Sequence, residues 1–197
     1  MIFKSVDPRE LQIDTRELSA RLGMPVTEAD IAGSEAYRSL VAIARPTYSA
    51  VRVKLNRDNG AITVGGVRSE SKALIKLCDG ADESILLTAT LGVGTDRLVL
   101  KRASASAYDA FMVDAIADAM IEALCDLAQA QLCEGIDASG RFSPGYGDLE
   151  LSFGEVILTL TDAERLLGIK MTSGGMMIPK KSVSAIIAIK NADGRGE

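Results

Sequence analysis

The chain has 197 residues, with 22 Lys+Arg against 27 Asp+Glu, no histidine, no tryptophan and three cysteines, and it is 47% hydrophobic but only 4% aromatic. At this length that apolar fraction excludes intrinsic disorder and supports one substantial core. The lack of histidine excludes Ser-His and Cys-His nucleophilic pairs, imidazole metal ligands and any side chain that titrates near neutrality without perturbation.

Asp7-Pro8 opens a helical pattern in which Leu11, Leu18 and Leu22 are apolar, and Gly23 with Met24-Pro25 stops it. Thr27 caps a second predicted helix that runs to about Ala44, ahead of Pro46, so residues 1–45 read as a helical N-terminal part. Tyr48 to Leu55 alternates apolar and polar, Asn59-Gly60 is a turn signal and Ala61 to Val64 is again extended, which predicts a hairpin. Ser69 to Cys78 reads as a short helix, and Ser84 to Leu91 as a buried strand meeting Gly92-Val93-Gly94. The longest predicted helix spans Tyr108 to Leu132. At 100° per residue it gathers Met112, Ile116, Ala119, Met120, Ala123, Leu124 and Leu127 on one arc and Asp114, Asp118, Glu122 and Asp126 on the other. A Gly/Pro-rich loop from Gly135 to Gly147 precedes a helix over Leu151 to Thr161 and a shorter one ending at Gly168. Ile169 to Thr172 is extended, Ser173-Gly174-Gly175 turns, and Ser182 to Ile189 is a β-branched strand. The tail from Asn191 is polar and is expected to fray. Hairpin-connected strands in runs predict one α+β domain over 1–197. Its sheet is expected to be mainly antiparallel, with a long central helix and flanking helices.

Charge is uneven along this order. No Lys or Arg occurs from Ala103 to Gly140, where Asp109, Asp114, Asp118, Glu122, Asp126, Glu134 and Asp137 fall, so the net −5 belongs to one segment. An acidic surface argues against binding a nucleic-acid backbone. Acids at i,i+4 with no base on the same helix cost a few tenths of a kcal/mol per pair. They read as a solvated face, or as one acid turned toward a cationic ligand. Cys78, Cys125 and Cys133 are odd in number and lack a CxxC spacing, so neither a disulfide framework nor a metal site is expected. No apolar run reaches the roughly 18 residues of a membrane span and no signal-peptide pattern opens the chain, which predicts a cytoplasmic protein without a membrane partner.

Two stretches bear on ligands. Gly92-Val93-Gly94 after a strand has part of a dinucleotide or methyl-donor fingerprint. Its third glycine is absent, Arg97 standing near that place, and no alternating βα series follows, so a strand-to-helix turn is the plainer reading. Gly140-Arg141-Phe142-Ser143-Pro144-Gly145-Tyr146-Gly147-Asp148 combines one fixed φ angle at Pro144 with glycines that admit close approach. Such a loop offers main-chain groups to a flat ligand, with Arg141 for an anionic group and Tyr146 as a ring bearing a hydroxyl, although a turn-rich connector explains the same composition.

Arg141-x-x-x-Gly145-Tyr146 resembles the Arg-x-x-x-Gly-Tyr signature of the reactivation domain of cobalamin-dependent methionine synthase. Residues 107–124 resemble that domain's long helix. Leu166 to Thr172, with Met177 to Ser184, resembles its closing segment, so the likeness covers about residues 105–190. The resemblance implies S-adenosylmethionine binding and support for the reductive methylation of cob(II)alamin, with an electron from a flavodoxin- or ferredoxin-type donor. By position, Arg141 would hold the donor's carboxylate, the backbone around Ser143 would contact its adenine, Gly145 would belong to the same donor site, Glu122 would favour its sulfonium or ammonium, and Tyr146 would sit between donor and corrinoid, facing both. Methyl transfer to a Co(I) centre needs alignment and desolvation and no general base, which suits a chain without histidine.

The sequence also departs from that pattern. Without histidine it has no Asp-x-His-x-x-Gly corrinoid motif, it shows no N-terminal Asp-Trp-type segment or C-terminal tyrosines of that family, and Asp148 stands where a small residue is usual. The expectation is therefore a stand-alone activation subunit docking on a corrinoid-binding methyltransferase such as a methionine synthase without its own activation domain. The alternative is a non-catalytic module that retains the corrinoid-protein surface without the methyl donor. An independent methyltransferase built on Gly92-Val93-Gly94 is disfavoured by the missing βα series.

Overall fold

The structure is a computed structural model that describes residues 1–190; the polar tail from Asn191 lies outside the described residues. An antiparallel sheet divides two helical layers. Its backbone is β2 (Thr47–Asp58), paired along one edge with β5 (Ala81–Thr90), which pairs in turn with β8 (Ser182–Lys190). The other edge of β2 is shared by β1 (Ile2–Ser5) and β3 (Ala61–Val64), and β4 (Val67–Ser69) extends β3. Asn59 and Gly60 take φ of 46° and 77°, the doubly positive geometry that matches a two-residue turn to the twist of its strands. Gly65 and Gly66, at 57° and 87°, repeat it and create β4, a strand not anticipated from the sequence.

Both faces of the sheet are covered, which explains why β5 and β8 are nearly continuous apolar runs. Ile85, Leu87, Ala89, Ile187 and Ile189 point into one core, and Leu86, Ile186 and Ala188 into the other. The first core holds α1 (Thr15–Leu22), α2 (Glu28–Gly33), α3 (Glu35–Ile43), α5 (Val93–Ala103) and the long α6 (Ala107–Leu132). The second holds α4 (Lys72–Leu77) and α7 (Phe153–Leu160), with α8 (Ala163–Leu167) beside them.

The N-terminal part is less helical than expected. Its first residues form β1, Pro8–Glu10 is a single 3-10 turn, and the helix predicted from Thr27 to Ala44 is two helices. Thr27 and Asp30 form a capping box for α2, as the sequence suggests. Ser34 then turns extended and its hydroxyl accepts from the Tyr37 N–H at 3.1 Å, so a good cap after a poor helix former divides the run.

Helix α6 begins one residue before its predicted start and ends where predicted, capped by Ser106. It lies between the sheet and α1, α3 and α5. Ile116, Met120 and Leu124 are fully buried, each contributing about 1.5–3 kcal/mol. The division into one apolar and one acidic arc is too simple: Ala115 and Cys125 lie on the acid-bearing side and are buried too. Among the described residues no helix is long and apolar enough to cross a membrane.

Candidate functional site

Glu122, Asp126 and Gln129 follow one another at helical spacing on the C-terminal half of α6, so their side chains share a face. The loop after α6 is laid along the free edge of β8. The Ser139 N–H donates to the Ala188 carbonyl at 2.9 Å, and Phe142 exchanges both backbone hydrogen bonds with Ile186 at 2.9 and 2.8 Å. This pairing supplies β8 with a partner and fixes Arg141 between the strand edge and the acid face of α6.

The Arg141 side chain is only 20% exposed. One terminal nitrogen donates to Asp126 Oδ1 at 2.7 Å and to Gln129 Oε1 at 3.3 Å; the other donates to Glu122 Oε2 at 3.2 Å. Gln129 in turn donates to the Ser139 carbonyl at 3.0 Å, bracing the arginine against its own loop. Burial pulls the Arg141 pKa down, but the bond to Asp126 and the nearby acid charges outweigh it and hold the pKa above its ordinary value. The acids therefore do not form an unopposed face. At the preceding pair on the helix, Lys181 Nζ lies 2.8 Å from Asp114 and 2.5 Å from Asp118, which Arg21 also contacts. Every compensating base comes from another element, beyond the reach of spacing rules.

Beyond Arg141 the chain closes into tight turns. The Gly145 N–H, at φ 91°, donates to the Leu149 carbonyl at 2.8 Å, and the Leu149 N–H donates to Tyr146 O at 3.1 Å. Tyr146 is left 67% exposed on the tip. Asp148 points the other way. Its carboxylate accepts from Ser71 Oγ at 2.6 Å and from the backbone N–H groups of Lys72 and Ala73 at 2.8 and 3.0 Å. Those bonds, the Ser71 hydroxyl foremost, hold its pKa down at about 2. Asp148 thus caps α4 and anchors the loop, and does not project into the cleft.

The cleft has a volume of about 650 Å³, within the range of small-molecule sites. Of the residues singled out from the sequence, Glu122, Arg141, Ser143 and Tyr146 line it, while Gly145 shapes the turn without lining it. Sequence reasoning missed Asp126 and Gln129 as lining groups, although both follow Glu122 at helical spacing. It also missed the opposite wall, formed by Ser182, Val183 and Ser184 of β8 and by a hairpin of β6 (Lys170–Met171) and β7 (Met177–Ile178). Only the sheet brings that wall near α6. Gly154 adds room: a Cβ there would lie 2.7 Å from Met171 Cε.

The other candidates resolve structurally. At Gly94 a Cβ would meet the Ile43 carbonyl oxygen at 3.0 Å, so Gly92-Val93-Gly94 is the strand-to-helix turn that lets α5 pack on α3. Cys78 and Cys125 are buried free thiols, pushed by burial up to about 11 and about 12, and Cys133 is half-buried. No metal-holding cluster occurs among the described residues.

No protein-family model matches this sequence, and no curated protein matches it. Among solved structures, the chain is similar over its whole length to the crystal structure of the MetH reactivation domain bound to AdoHcy, with a TM-score of 0.71, 16% identity and 80% of that chain covered. At that identity the likeness speaks for architecture: the protein has the methionine synthase activation domain-like fold.

Proposed function

We propose that this protein binds S-adenosylmethionine in the cleft between α6 and β8 and supports reductive methylation of a corrinoid carried by a partner methyltransferase. The observation that carries the reading is the gathering of Arg141, Glu122, Ser143 and Tyr146 around one cleft, in a fold shared with a domain solved with AdoHcy. The lining suits such a ligand. It offers both signs of charge for an amino-acid end, backbone at Ser143 for an adenine edge, and apolar walls from Phe142, Leu151 and Met177. When bound, S-adenosylmethionine supplies a methyl group on a sulfonium, ready for attack by a strong nucleophile.

The chain's own part is positional. Arg141 orients the carboxylate end, Glu122 favours the cationic end, and Tyr146 stands at the exposed tip where a corrinoid face would arrive. The partner is a corrinoid-binding methyltransferase in the cytoplasm, and the electron comes from a flavodoxin- or ferredoxin-type donor. Calorimetric titration with S-adenosylmethionine, with and without a cobalamin-loaded methionine synthase module, tests the reading. Saturable binding supports it; no heat in either titration removes the donor-binding half.

A second reading has its own support. Both terminal nitrogens of Arg141 are already engaged by acids, as in a surface that has given up the donor and kept a docking role. Capture of a corrinoid protein with no affinity for S-adenosylmethionine would select it.

A further inference from the structure

Glu122, Asp126 and Arg141 are the only charged residues that line the cleft among the described residues, two carboxylates against one guanidinium. We infer that Asp126 is a ligand-binding residue and that this surplus negative charge makes the cleft select a sulfonium amino acid over the corresponding uncharged thioether. The inference rests on the proposed donor site and gives a use to an acid which that proposal leaves unassigned.

The charges close only with a sulfonium. The donor brings a carboxylate, an ammonium and a sulfonium, a net charge of +1. Its carboxylate takes the guanidinium, and the two acids then face the two cationic centres, so three positive and three negative groups meet. The demethylated thioether has no net charge and leaves one carboxylate without a counter-charge beside an arginine that is four-fifths covered. Asp126 holds the shortest bond to Arg141, at 2.7 Å, and its side chain is 72% exposed, so it can turn to the ligand without a buried rearrangement. Where the cleft is open to solvent and the dielectric approaches that of water, one unopposed charge about 3–4 Å away changes affinity by about fivefold to tenfold. Such a site releases the spent donor after its methyl group has left.

The test is parallel titration of S-adenosylmethionine and S-adenosylhomocysteine into the wild-type protein and into Asp126→Asn and Glu122→Gln, at low and high salt. The expected result is a wild-type preference for the sulfonium of about fivefold to tenfold that shrinks in each variant and at high salt. A wild-type ratio at or below one, or an unchanged ratio in Asp126→Asn, overturns the inference while leaving the donor site standing. Absence of binding by either ligand removes the donor site, and the inference with it. Thermal melts of the variants, expected to match the wild type because both acids are at the surface, separate lost charge from lost fold.

Discussion

Near the middle of α6, Asp114 and Asp118 close on Lys181, whose side chain is 10% exposed. Two turns on, Glu122 and Asp126 close on Arg141 at the rim of a cleft. Spacing and chemistry are the same, four residues between acids and one cation inserted from the β8 side, but the surroundings differ. Lys181 immediately precedes β8 and its carbonyl accepts from the Leu91 N–H, and Arg21 of α1 reaches the same Asp118, so the first pair ties three elements together. The second pair has open space on one side and a side-chain brace on the other. Identical local patterns become a fastening in one place and a candidate binding surface in the other, according to what the fold puts around them.

The largest loss of stability is expected from Lys181→Met. Removing a buried cation from its acids costs about 3–5 kcal/mol where both partners are buried. Because Asp114 is part-exposed and Asp118 keeps Arg21, a loss of about 2 kcal/mol in urea unfolding is expected. Arg141→Ala should show the opposite division. Its stability should stay within about 1 kcal/mol of wild type, since the acids it leaves face water, while S-adenosylmethionine affinity falls by about 10- to 100-fold. A stable Lys181→Met, or an Arg141→Ala variant that unfolds with its affinity intact, would show that the two pairs are not divided in this way.

A smaller change is expected at Asp148, which fastens the loop to the start of α4. Its folded pKa, about 2, lies below the unfolded value near 4. Its contribution to stability is therefore present above pH 4 and lost as pH falls toward 2. Wild type and Asp148→Asn should differ in urea unfolding at pH 5 and converge as pH approaches 2. Parallel curves over that interval would mean that its charge does not hold the loop.

Much of the order of elements was legible. The Asn59-Gly60 hairpin, the extent of α6 and the strand at Ser182 follow from turn chemistry and periodicity, which act between neighbours. The split at Ser34 and strand β4 were also written locally, in a Gly-Ser step and a Gly-Gly pair, and were read through. β1 was not legible: four exposed residues become a strand only because β2 offers an edge.

By itself the sequence determined that this is an α+β domain whose chemistry cannot use histidine, and it pointed to the loop carrying Arg141 and Tyr146. It could not place the bases that answer the acids of α6, because the ion pairs at Glu122 and at Asp118 are closed by residues 19 and 63 positions away. Nor could it give Asp148 its role or build the far wall of the cleft. Hydrogen bonds to a strand edge and ion pairs between layers form only once the sheet has brought distant segments together. Which acids fasten the fold and which line the cleft is thus settled by packing between distant segments.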